Sequence, residues 1–148
     1  TEEKVAEVKL KDGEIFEMEG LSHLVIGGAY SVDKYYRIAR HYGWWPDEQP
    51  SEEIKAYVEQ QLPGKHIDVI LSHTCPFKYE PVEAFLPMID QSTVDASTEH
   101  WLDHIEETAD YGAWLCGHWH ISKRIDKLQF MYHDFICSDN LKERVQNG

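Results

Sequence analysis

Short apolar runs alternate along the chain with stretches whose apolar positions recur at helical spacing, an order that predicts an α/β protein. Residues 5–10 and 14–18 are strand-like on either side of Lys11-Asp12-Gly13, where Asp-Gly favours a tight hairpin turn. A third strand is expected at 23–26, stopped by Gly27-Gly28. Apolar and aromatic residues at helical intervals predict a helix over 32–41, followed by a loop that Pro46 and Pro50 prevent from becoming helical. Ser51 caps the next predicted helix, 51–62, with Glu52 and Glu53 in its first turn complementing the helix dipole. Pro63-Gly64 ends it, and 67–72 reads as a buried strand.

Residues 74–96 contain three prolines and little periodicity, which predicts a long surface excursion with one helical turn near 82–86. Ser97 or Thr98 then caps a helix over 97–109, and 112–117 is a second buried strand. Residues 121–125 and 128–135 form an expected terminal hairpin, and the polar tail 139–148 is expected to fray. The predicted sheet is mixed, with hairpins at both ends. Residues 1–148 make one folding unit without internal repeats or a linker.

Composition narrows the function classes. With 27 Asp and Glu against 14 Lys and Arg, the net charge is −13, a field that repels polyanions and gives no overall basic footprint for nucleic acid. A phosphorylated substrate would therefore need local positive charge, such as metal ions. No apolar run reaches the ~18 residues of a membrane span, and residues 1–20 lack the order of a secretory signal. Cys75, Cys116 and Cys137 fit neither a disulfide framework nor a CxxC zinc site, so the expectation is a cytoplasmic protein with buried free thiols.

The chemistry concentrates where two buried strands end. Leu71-Ser72-His73-Thr74 follows the first and Cys116-Gly117-His118-Trp119-His120 the second, and an intervening helix makes the strands parallel neighbours. Ligands gather at the carboxyl ends of strands in open α/β sheets, so His73 should meet His118 and His120 in space. In an extended segment His118 and His120 would point to one side, giving three imidazoles suited to a borderline transition metal. A lone His-x-His among nine histidines would carry little weight; the paired strand ends carry the reading.

These two segments resemble the later motifs of the calcineurin-like metallophosphoesterases, a strand-end histidine and Gly-His-x-His. Gly27-Gly28-Ala29-Tyr30-Ser31-Val32-Asp33-Lys34 and Trp44-Trp45-Pro46-Asp47-Glu48-Gln49-Pro50 are similar to segments of bacterial and phage members, and the resemblance runs from about residue 1 to 138. It implies half of a two-sheet β-sandwich flanked by helices. It also implies that His73 and His118 hold one ion and His120 the other of two divalent transition metal ions, Mn, Fe or Zn, that hydrolyse a phosphoester. The family's earlier motifs, Asp-x-His, Gly-Asp-x-x-Asp and Gly-Asn-His-Glu, do not occur in this sequence. The chain therefore reads as the carboxyl-terminal portion of such a domain, expected by itself to hold one metal and hydrolyse little. The catalytic histidine would lie in the other half, supplied in cis or in trans, or self-association would cover the sheet. The alternative is a non-catalytic metal-binding or interaction module.

Tyr30, Asp33 and Trp44 are substrate-side candidates, although Asp33 equally suits a helix start and Trp44-Trp45 more often anchors a loop. The other histidines are read as structural or solvent-facing, and the acidic residues as solvated helix faces. Ser72 is not paired with His73 as a nucleophile, because adjacent strand residues point to opposite faces.

Overall fold

The computed structural model describes residues 11–147. It contains a six-stranded mixed sheet and four α-helices, in the order β1 (Ile15–Met18), β2 (Leu21–Ile26), α1 (Lys34–Ala39), α2 (Glu52–Gln61), β3 (His66–Ser72), α3 (Ser97–Thr108), β4 (Asp110–Cys116), β5 (Lys123–Ile125), β6 (Leu128–Phe130) and α4 (Ser138–Asn147). The strand order is β1-β2-β3-β4-β6-β5. The four central strands run parallel, and β1 and β5, antiparallel to their neighbours, are the outer strands among the described residues.

Within residues 11–147 the predicted strands and helices recur with shifted ends, and the terminal hairpin is present with a second strand shorter than expected. The proposed pairing of 5–10 lies outside the described residues. Residues 15–18 pair with β2 through the turn at Glu19-Gly20. Ser51 caps α2 as expected, its side chain accepting from the Ile54 amide at 3.2 Å. The start of α3 differs: Asp95, not Ser97 or Thr98, accepts from the Ser97 amide at 2.9 Å.

One face of the sheet buries Leu24, Ile26, Ile70, Trp114 and Phe130 against Val58 of α2 and Trp101, Leu102 and Ile105 of α3. The other face packs Leu21, Val69, Ala113 and Leu115 against Leu141. The expected frayed tail, 139–148, is therefore corrected. Residues 138–147 are helical, and Leu141 and Val145 lie four apart, one turn above the other, on the side that meets the sheet. Gly112 allows this close approach, since a Cβ there would meet the Asp68 carbonyl and Val145 Cγ1 at 2.8 Å each.

Residues 74–96 form three short 3₁₀ turns, Phe77–Tyr79, Val82–Ala84 and Gln91–Thr93, instead of the single turn anticipated. Among the described residues no helix is long and apolar enough to cross a membrane.

Candidate metal centre

Strand register brings the histidines together. β3 and β4 pair in parallel from His66 with Asp110 to Ser72 with Cys116, so the next residues, His73 and Gly117, are neighbours. Backbone bonds continue the ladder beyond the strands: the His73 amide donates to Ile26 at 3.1 Å, and Gly117 donates to His73 at 3.0 Å. His73 Nε2 lies 3.0 Å from His118 Nδ1, with ring centroids 4.9 Å apart. One ring donates to the other, according to tautomer.

The surroundings favour the neutral form of both rings. Burial, then the charge of His120, pushes the His73 pKa down, although the edge of its ring reaches solvent. Burial, with His73 and His120, pushes His118 down to about 4, opposed by Glu48. Neutral imidazole is the ligand form. Two nitrogens bound about 2.1 Å from one ion at right angles would stand about 3 Å apart, so the observed spacing fits two neutral ligands of one ion once the donor ring carries its proton on its other nitrogen.

His120 departs from expectation. His118 and His120 have φ of 70° and 54°, and the Trp119 amide donates to Gly117 at 2.9 Å, so the segment is tightly turned, not extended. The rule that alternate residues share a side fails in this backbone. His120 stacks on Tyr132 with centroids 4.9 Å apart, while its charge still acts on both partners. Among the described residues no three His, Cys, Asp or Glu side chains are grouped so as to hold a metal ion. The left-handed conformation costs a non-glycine residue about 1–2 kcal/mol; strain of this kind concentrates at functional sites.

Of the substrate-side candidates, Trp44 and Tyr30 gather around a residue that sequence reasoning passed over, Glu48. Its Oε2 accepts from Trp44 Nε1 at 2.8 Å, its Oε1 from the Ser31 amide at 3.2 Å, and its backbone carbonyl from Ala29 at 3.0 Å. Burial, then the charges of Tyr35, Glu48 and Asp95, raises the Tyr30 pKa. Gly28, at φ 93°, permits this docking, since a Cβ there would stand 2.5 Å from the Glu48 carbonyl. Asp33 is drawn away, its Oδ2 accepting from Arg37 Nε at 2.7 Å. Glu48 was visible within the Trp-Trp-Pro segment, but nothing in its spacing distinguished it from a loop acid.

Behind His73, Thr74 donates to Glu99 Oε1 at 3.0 Å. Glu99 is 5% exposed, and its Oε2 has no partner among the described residues, which corrects the reading of the acids as solvated faces. Burial, then Glu99 and Asp103, pushes Glu80 up to about 7. Glu106 is likewise engaged, paired with Lys78 and accepting from Tyr111 at 2.9 Å. Ser72 is structural, accepting from Trp114 Nε1 at 2.7 Å.

Cys75 and Cys116 are buried, with burial raising both thiols, Cys116 to about 12; Cys137 is exposed, contrary to expectation. Hollows of about 270 Å³ beside Arg124 and Arg144, and about 140 Å³ beside Leu21, Leu71 and Leu115, lie away from the histidine pair. Comparison with family models, curated proteins and solved structures gives no match.

Proposed function

We propose that this chain supplies histidine ligands to a metal-dependent phosphoester hydrolase of the calcineurin-like kind. The observation that carries the reading is the approach of His73 Nε2 to His118 Nδ1, 3.0 Å apart at the carboxyl ends of two parallel strands. His73 is held by the β2–β3–β4 ladder and His118 by the turn after Gly117, so both rings sit on rigid supports. His120 would join the site by leaving Tyr132. Glu48 ties Trp44 to the Ser31 amide beside Tyr30, and Tyr30 and Trp44 would serve as substrate-side residues.

When bound, two divalent transition metal ions supply an activated water and stabilise the oxygens of an in-line phosphoryl displacement. Neutral imidazoles do not offset such charge, so carboxylates from another segment or another chain complete the centre. A calcineurin-like sandwich would place that second half over the face lined by Leu21, Leu71 and Leu115, where α4, packed there through Leu141 and Val145, would give way to it.

Metal content tests this without turnover. After dialysis against manganese, iron or zinc, elemental analysis should find about one ion per chain, lost in His73→Ala and in His118→Ala. Adding a carboxylate-bearing half should then give histidine-dependent hydrolysis of a nitrophenyl phosphodiester or monoester. Tight metal binding without turnover in that mixture would favour a non-catalytic metal module; no histidine-dependent metal binding would sink both readings.

A further inference from the structure

The segment leading from β2 to Pro46 is composed unlike the rest of the molecule. Residues 34–40, Lys-Tyr-Tyr-Arg-Ile-Ala-Arg, hold three basic and no acidic residues in a chain of net charge −13. α1 buries no residue, and Tyr35 and Trp45 are 73% and 67% exposed. Large rings ordinarily pack in cores or interfaces, so a run of them in solvent marks a contact surface. Cations lie among them: Lys34 Nζ is 4.4 Å from the Trp44 ring centroid, and the Arg40 guanidinium carbon is 5.4 Å from that of Tyr36. Interleaved π faces and cations are the chemistry that receives unpaired bases and the phosphates between them.

The segment leaves β2 at Ile26, whose carbonyl accepts from the His73 amide, and Trp44 is tied back towards that exit through Glu48, which also accepts from the Ser31 amide. We propose that α1 and the Trp44-Trp45 turn form a track for single-stranded nucleic acid, delivering a phosphodiester to the strand-end histidines. The proposal rests on the phosphoesterase reading and names its substrate class. Bases stack on the exposed rings while Lys34 and Arg40 meet the backbone charge. A duplex, whose bases already stack on each other, gives the rings no free faces. The acidic remainder of the chain repels polyanions generally, so binding depends on this patch.

Fluorescence anisotropy of labelled oligothymidylate and oligouridylate, each about 12 nucleotides long, tests this in EDTA at roughly 50 mM salt. The comparison is with a duplex of equal length and with the variant Tyr35→Ala/Arg40→Glu/Trp45→Ala, its fold checked by circular dichroism. Single-strand binding should weaken ~tenfold or more in the variant and exceed duplex binding by a similar factor. The single variant Trp45→Ala should show a smaller loss in the same direction. Equal binding by wild type and variants, duplex binding as tight as single-strand binding, or no binding overturns the proposal. Since EDTA removes metal, intact oligonucleotide binding without hydrolysis in the complemented assay sinks the phosphoesterase reading alone. Hydrolysis of small esters without oligonucleotide binding sinks this proposal alone, and the two oligomers distinguish a DNA from an RNA preference.

Discussion

Glu99 illustrates how a single buried carboxylate sets a pH dependence. Burial raises its pKa, and that of Glu80 stands at about 7 for the same reason, reinforced by the charges of Glu99 and Asp103. A carboxyl whose folded pKa exceeds its unfolded value binds more protons when folded. Its stabilising contribution is complete below the unfolded value and is lost as pH rises through the folded one. For Glu80 that window extends from the ordinary glutamate value to about 7. Glu99→Gln removes the buried charge, keeps an oxygen for Thr74 and relieves Glu80, so the variant should gain on wild type in urea denaturation as pH rises from about 5 to about 7.5. A difference independent of pH would show that Glu99 does not titrate with the fold. The residue scale is also where sequence reading was weakest. His73 and His118 were legible because strand ends are where loops carry chemistry. His120 was not, because a left-handed turn at 118–120 leaves no mark in a Gly-His-Trp-His spacing. Glu99 was hidden too, since an acid in the first turn of a helix ordinarily faces water.

Elements with a dense apolar pattern were readable, and those with a thin one were not. β4 is buried along most of its length and β3 at Ile67, Val69 and Ile70; both appeared as apolar runs, and the helix between them predicted their parallel pairing. α4 has one buried residue, Leu141, and one other apolar residue, Val145, among polar ones, and so read as a fraying tail. Its packing gives the difference a measurable consequence. Leu141 is buried against the second sheet face with Val69, Ala113 and Leu115, so Leu141→Ala leaves a cavity there and should destabilise the fold by about 2–4 kcal/mol. A frayed segment would make the substitution neutral. The urea midpoint decides between them, and loss of the helix should also uncover Gly112 and β4 to amide exchange.

At the scale of the whole molecule, a net charge of −13 acts on folding and on binding with opposite dependence on salt. Among the described residues the closest ion pairs, Arg37 with Asp33, Lys123 with Glu83 and Lys78 with Glu106, all involve partly solvated groups and contribute little each. Repulsion among the excess acids is the larger long-range effect, and salt screens it over about 10 Å at 0.1 M. The thermal midpoint should therefore rise between roughly 10 mM and 200 mM sodium chloride. Oligonucleotide binding should fall over the same range, because Lys34 and Arg40 meet phosphates whose condensed counterions are released on contact. Scanning calorimetry and anisotropy on one preparation read both signs. A midpoint that fell with salt would mean that the ion pairs outweigh the repulsion. Binding that did not weaken would mean that stacking on Tyr35 and Trp45 holds the strand without help from the cations beside them.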